Sequence, residues 1–196
     1  MKRLFDFSLA LLGLIITAPI LILIAVIIKI DSAGPVLFIQ NRVGKSNKDF
    51  NIFKFRTMHT KSQDKGLLTI GNRDSRVTSV GYFLRRYKID EFPQLLNVLI
   101  GDMSFVGPRP ELRYYVNFYK EDDFVIFKVR PGITGLASLE YRNEVELLKK
   151  ADKPEEFYIN TIIPDKLAYN KTYIKKKSFI FDLKLIFKTV IRVIFK

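Results

Sequence analysis

At 196 residues the chain fits one domain with an appendage and is long enough to bury a real core. A composition of 48% hydrophobic and 27% charged residues excludes disorder, and the lack of cysteine excludes both a disulfide framework and a thiolate zinc site. The formal net charge of +13 calls for an anionic partner, whether nucleic acid, a lipid surface or a phosphate-bearing substrate, while the single histidine, His59, gives a serine–histidine mechanism only one residue to rest on.

Residues 4–28 are apolar apart from Asp6 and a few small hydroxyls. As a straight helix they would run roughly 37 Å, enough for a bilayer core of about 30 Å. A secretory leader fits poorly, because the apolar run continues to Ile28 and Lys29 without a small-residue cleavage site. Two features favour a re-entrant hairpin over a single kinked span. Pro19 removes a helix hydrogen bond and collides with the Ile15 carbonyl, which places a helix–break–helix at mid-segment. Lys2 and Arg3 precede the segment while Lys29, Arg42, Lys45 and Lys48 follow it, so the positive-inside rule draws both ends to the cytoplasm.

"GPVLFIQNRVG" (34–44) reads as a turn and a short strand. "FNIFKFRTM" (50–58) alternates, with Phe53 and Phe55 on one face and the cations Lys54 and Arg56 on the other. Residues 60–76 read as a polar loop. "SVGYFLRRYKI" (79–89) reads as a helix carrying Arg85 and Arg86 near its end, and "FPQLLNVLIG" (92–101) as the next, started by Pro93 and stopped by Gly101. Asp90 and Glu91 fall at the joint. Taken alone, the pair serves a helix start through the dipole; in so basic a chain it is also a candidate chemical centre.

In "MSFVGPRPE" (103–111) two prolines flank Arg109, hold its backbone extended and suit it to clamp a phosphate with both arms. "VRPGITG" (129–135) predicts a type II turn at Pro131-Gly132 led by Arg130. Residues 138–170 read as helix, a Pro154 break and more helix, with Arg142 a candidate binding residue. In "SFIFDLKLIFKTVIRVIFK", Lys184, Lys188, Arg192 and Lys196 form one basic stripe among Phe179, Leu183, Ile186, Phe187, Val190, Ile191 and Ile194. Such a helix lies in the interface of an anionic membrane or packs on a core with a wet lysine edge.

An apolar foot, adjacent carboxylates and cations on several elements together suit phosphoryl chemistry at a membrane surface. A carboxylate can attack phosphorus, and magnesium takes one or two carboxylates plus phosphate oxygens. Nucleic-acid binding has the net charge in its favour, but no helix-turn-helix, zinc or RNP-like pattern is present and the apolar start has no purpose there. A non-catalytic membrane-surface scaffold is the other alternative.

The stretches "KR..D" (2–6), "GPVLFIQNRVG", "FKFRTM", "LRRYKIDEFPQLLNVLIGDMSFVGPRPE" and "RPGITGLA" resemble the monotopic phosphoglycosyl transferases, bacterial sugar transferases typified by the bacillosamine-phosphate transferase of N-glycosylation. The resemblance runs nearly end to end and is most specific over Leu84–Glu111. It implies an α+β, mainly helical monotopic fold with a small β element: a re-entrant hairpin (1–30), a catalytic domain on the cytoplasmic face of the bacterial inner membrane (31–178) and an amphipathic interfacial helix (179–196). It implies transfer of a phospho-sugar from a UDP-sugar to polyprenol (undecaprenyl) phosphate with release of UMP, Asp90 as nucleophile, and Glu91 as its partner at Mg2+. Lys54 and Arg85 match family cations near the phosphates, and Arg142 a family arginine at the substrate; Arg56, Gln94 and Arg109 join them from the residue reading above. The sequence departs from the pattern at Ala18, where many relatives carry serine before the hairpin proline, with Thr17 left to offer its hydroxyl to the freed backbone. It departs again over "IIPDKLAYNKTYIKKKS", so Asp165 takes no catalytic role and that stretch bears on the choice of sugar.

Overall fold

The apolar N-terminal run forms one 30-residue helix, α1 (Lys2–Asp31), and the assigned helix continues through Pro19. The break expected there does not interrupt it. The Thr17 hydroxyl donates to the Gly13 carbonyl at 2.6 Å, not to the Ile15 carbonyl that Pro19 leaves without its amide. The computed structural model describes residues 1–60, 68 and 74–194. Most of the loop expected over 60–76, and Lys196 of the basic stripe, lie outside them. Among the described residues α1 is the one helix long and apolar enough to cross a membrane, by length and composition.

Both ends of α1 are fastened to the same body. At the start, Arg3 donates to the carbonyls of Val98 at 2.5 Å and Leu99 at 2.8 Å, and Lys2 pairs with Asp182. Asp6, buried, accepts from the Phe105 amide at 3.4 Å. At the far end Ile24 and Ile28 pack on Phe55 and Leu84. Between them Ile15, Ile16, Ile20, Ile22 and Leu23 are exposed.

After α1 come β1 (Leu37–Val43) and β2 (Asp49–Phe55), an antiparallel pair in the register Phe38↔Lys54 and Arg42↔Phe50. Helix α2 (Ser79–Arg86) starts at Thr78, whose side chain accepts from the Gly81 amide at 2.9 Å. Helix α3 (Gln94–Ile100) ends at Gly101, whose φ of 106° supplies the left-handed cap expected from the sequence. Asn97, fully buried inside α3, donates to the Asn51 carbonyl at 2.7 Å and accepts from the Phe53 amide at 3.0 Å. It thereby satisfies the free edge of β2 and fixes that strand against α3.

Strand β3 (Ser104–Val106) pairs in parallel with β4 (Gly132–Thr134), Ser104 opposite Gly132 and Val106 opposite Thr134. This corrects the turn expected at Pro131-Gly132. Gly132 does not take the left-handed backbone that a type II turn requires, and its amide donates to the Pro108 carbonyl at 2.9 Å. The glycine is needed for close approach, since a Cβ there would meet the Gly107 nitrogen at 2.1 Å. Arg130 is likewise no free cation; its Nε donates to the Gly101 carbonyl at 2.7 Å and closes the α3–β3 turn.

The remainder is helical: α4 (Arg113–Val116), α5 (Leu136–Glu140), α6 (Glu144–Lys150), α7 (Pro154–Phe157), a π-turn over Tyr158–Ile162, α8 (Ile163–Lys176) and α9 (Phe179–Ile194). The largest core cluster gathers Tyr115, Ile126, Leu148, Tyr158, Ile162 and Leu167. Helix α9 buries Leu185 and Asp182 against the body, and the Tyr173 hydroxyl donates to Asp182 at 2.8 Å. Its outer side exposes Phe179, Ile180, Leu183, Phe187 and Val190. Lys184, Lys188 and Arg192 of the expected basic stripe are exposed, and Arg192 also donates to the Leu139 carbonyl at 2.6 Å.

Candidate active site

The joint between α2 and α3 is a single 3₁₀ turn, Ile89–Glu91, entered through Lys88 at φ 58°. A left-handed lysine costs about 1 kcal/mol, and it turns the chain so that the acid pair sits on the joint, not on a helix flank. Asp90 is 8% exposed and its Oδ1 is buried without a hydrogen-bond partner. One turn on, Gln94 is 1% exposed and its Nε2 is also unpartnered. Two buried polar atoms left open, four residues apart, are costly, and together they aim at one small region beside the acid pair.

Glu91 has the opposite surroundings. Lys54, reaching from β2, donates to its Oε1 at 3.2 Å. Arg109 places one guanidinium nitrogen on Oε1 and the other on Oε2, the latter at 3.2 Å. The fork that the sequence suits to a phosphate engages the Glu91 carboxylate with both arms. Arg42 of β1 steadies the loop from outside, donating to the Pro110 carbonyl at 3.2 Å and the Glu111 carboxylate at 3.3 Å.

The electrostatics separate the two acids. Burial, with the Glu91 charge added, pushes the Asp90 carboxyl above its ordinary value despite Lys54, Lys88 and Arg85. Burial also pushes Glu91 up, but the charges of Arg109 and Lys54 outweigh it and hold that carboxyl well below the usual range. Burial brings the Lys54 ammonium down to about 8, with Glu91 opposing. The Glu91 charge raises the pKa of Arg109 above an ordinary guanidinium. Arg85 is half-buried at the end of α2; burial lowers its pKa, and the Asp90 charge is foremost among those that raise it.

The structure therefore brings together Asp90, Glu91, Lys54, Arg109, Arg85 and Gln94 of the residues named from sequence. It does not bring Arg56 there. Its guanidinium donates to the carbonyls of Ala33 at 2.8 Å, Ile28 at 3.2 Å and Ser32 at 2.6 Å, so it caps the end of α1. The hairpin pairing runs one step past Phe55, the Arg56 amide donating to the Val36 carbonyl at 2.9 Å, but the carbonyls at the end of α1 take the guanidinium. Arg142, half-buried in the turn between α5 and α6, makes no hydrogen bond or ion pair with the acid pair among the described residues. Asp165 accepts from the exposed Tyr141 hydroxyl at 2.5 Å.

Neither Arg42 nor Glu111 is singled out as a site residue from the sequence. The signal for Arg42 was available: it lies two residues from Gln40 and four from Phe38, the partner of Lys54, so period-two alternation puts Arg42 and Lys54 on one face of the hairpin.

Among the described residues no group of three or more His, Cys, Asp or Glu side chains could hold a metal ion. The donor set fits magnesium carried largely by substrate phosphates, for which two carboxylates suffice. Asp90 Oδ1 has no hydrogen-bond partner, while both oxygens of Glu91 are shared with cations.

The model of the family described as "Bacterial sugar transferase" matches residues 1–196. The chain is 41% identical over 192 residues to the "UDP-N-acetylgalactosamine-undecaprenyl-phosphate N-acetylgalactosaminephosphotransferase" of Aeromonas hydrophila, which covers 96% of this chain and 42% of that one. It is 40% identical over 196 residues to the "UDP-glucose:undecaprenyl-phosphate glucose-1-phosphate transferase" of Escherichia coli (strain K12), covering 98% of this chain and 40% of that one. Against the "Exopolysaccharide production protein PSS" of Rhizobium leguminosarum bv. phaseoli it is 38% identical over 198 residues, covering 97% of this chain and 94% of that one. The chain thus spans only 42% and 40% of the length of the first two of these relatives. The match nonetheless runs from the first residue to the last and includes the acid pair, its lysine and its proline-flanked arginine, and so the chain belongs to the bacterial sugar transferase family.

Proposed function

We propose that the chain transfers a phospho-sugar from a UDP-sugar to polyprenol phosphate and releases UMP. The observation that carries this reading is the unpartnered Asp90 Oδ1, buried beside a Glu91 whose charge Arg109 and Lys54 already balance. One carboxylate is left to react while its neighbour organises the cations. An Asp90 oxygen attacks the sugar-bearing phosphorus, forming a P–O bond as the bond to the bridging oxygen breaks, and UMP leaves with that electron pair. A phosphate oxygen of the polyprenol then attacks the same phosphorus, and the carboxylate leaves. Lys54, Arg85 and Arg109 offset charge on the phosphates, and the Gln94 amide donates to an oxygen near Asp90. Mg2+ would be held by Asp90 and Glu91 with the substrate phosphates, and when bound it offsets phosphate charge. The printed activities of the Aeromonas and Escherichia relatives support the substrate classes. A panel of UDP-sugars, each with undecaprenyl phosphate, assayed for UMP release tests the reading; no release from any of them by folded protein rejects it.

We read the chain as monotopic, dipping into the cytoplasmic face of the inner membrane. The support is the fastening of both ends of α1 to one body, together with the apolar outer side of α9. A helix attached at both ends to one body, with its middle apolar and exposed, suits a segment dipping into one face, although no break interrupts it at Pro19. The exposed apolar residues of α9 suit the interface beside it. Cysteines introduced by Lys2→Cys and Asp31→Cys should both resist a membrane-impermeant thiol reagent applied from outside; reaction of either contradicts this topology.

A further inference from the structure

A second buried cluster of charges stands behind Arg109. Glu111, whose side chain is 11% exposed, is reached from three elements. Arg42 of β1 donates to its Oε1 at 3.3 Å and the Tyr158 hydroxyl to its Oε2 at 2.7 Å, while Lys166 of α8 lies 3.8 Å from Oε2. Lys166 is itself buried, donates to Glu144 at 2.9 Å and to the Tyr158 hydroxyl at 3.1 Å, and sits 5.1 Å from the centre of the Tyr158 ring. The backbone is held as well, since the Val43 amide donates to the Glu111 carbonyl at 2.9 Å. Burial pushes the Glu111 carboxyl up, but Lys166 and Arg42 outweigh it and hold it below the usual range. It therefore stays charged at neutral pH.

The need for that charge follows from the two arginines. Arg42 reaches the Pro110 carbonyl, one residue from Arg109, at 3.2 Å; burial lowers its pKa first, Glu111 opposes, and the Arg109 charge lowers it further. Like charges in a poorly solvated site repel strongly, and each requires a carboxylate of its own. Glu91 serves Arg109, and Glu111 serves Arg42. Only Pro110 separates Glu111 from Arg109, and its fixed φ carries a displacement of one to the other. We propose that Glu111, clamped by Lys166 and Tyr158, is a positioning residue: it neutralises Arg42 and sets the Pro108–Glu111 loop so that Arg109 presents its fork to Glu91 and to the substrate phosphate. This rests on the reading of Asp90 and Glu91 as the reacting centre. It gives the stretch 144–166 an influence on rate in addition to any part in choosing the sugar.

The test is a double-mutant cycle on UMP release, with folding followed by thermal melting in detergent. Glu111→Gln should lower kcat roughly 10- to 100-fold with KM for the UDP-sugar within about twofold, the pattern of an interaction expressed in the transition state. Lys166→Met should lower kcat by less, and Lys166→Arg should restore it. In an Arg109→Ala background Glu111→Gln should add less than about a twofold loss, because the two act as one unit. Full additivity, or a folded Glu111→Gln variant with kcat within about twofold of wild type, overturns the proposal. Should Glu111→Gln fail to fold, Tyr158→Phe replaces it in the cycle: its loss should vanish in the Arg109→Ala background, and an equal loss in both backgrounds overturns the proposal. A wild-type protein that releases no UMP rejects the reading of the acid pair, and the positioning role with it. An active wild type with an additive cycle rejects the positioning role alone.

Discussion

Lys54 should impose an upper pH limit on the free enzyme. Burial lowers its ammonium from 10.5 to about 8 although Glu91 pulls the other way. At about 1.4 kcal/mol per pKa unit, keeping that proton in the folded protein costs about 3 kcal/mol relative to water. Below pH 8 the cation is present, Glu91 is doubly countered and the proposed phosphate site is complete. Above it the lysine is neutral, and one pH unit higher about a tenth of the molecules keep the proton. Since kcat/KM reports groups of the free enzyme, it should fall about tenfold per unit on that limb. A bound diphosphate raises the pKa of Lys54, so the corresponding limb in kcat should lie at higher pH. The assay is UMP release from roughly pH 6.5 to 9.5 with a fixed acceptor. Lys54→Arg, whose cation persists beyond about pH 12, should lose the alkaline limb even if its plateau is lower. An unchanged limb in that variant, or a wild-type kcat/KM flat to the top of the range, refutes the reasoning. The same depressed pKa fixes a stability trend. Between about 8 and 10.5 the unfolded chain binds more protons at Lys54 than the folded one, so this group makes stability rise with pH across that window.

On the acid side, the raised pKa of Asp90 and the depressed one of Glu91 predict that one proton switches activity off. The acid limb of kcat/KM should have a slope of one and a midpoint above that of an ordinary aspartate; a slope of two contradicts the division of labour. Arg56→Met should leave the carbonyls at the end of α1 without their donor and destabilise the protein by about 3 kcal/mol, with kcat unchanged while the variant stays folded. A fall in kcat with an unaltered melt would return Arg56 to the substrate site.

The parts of the site that were legible in the sequence are those set by local rules. Pro93 and Gly101 mark the ends of α3 and so put Asp90 and Glu91 at its approach. Alternation in β2 turns Lys54 away from the buried Phe55, and Arg109 stands between two prolines. What was not legible depends on distant pairing. Gly132 resembles a turn glycine until β4 is known to lie against β3. Arg56 finds its acceptors at the end of α1, 23 to 28 residues back along the chain. The chief partner of Glu111, Tyr158, is 47 residues away along the chain. Asn97 looks misplaced in an apolar helix until the free edge of β2 is seen beside it.

The most direct measurement is the mass of the peptide bearing Asp90 after the protein meets a UDP-sugar with no polyprenol acceptor. The account predicts one added phospho-sugar per chain on Asp90, an equal amount of UMP released, and no adduct in Asp90→Asn. An adduct that persists in Asp90→Asn, or full turnover by that variant, would contradict it.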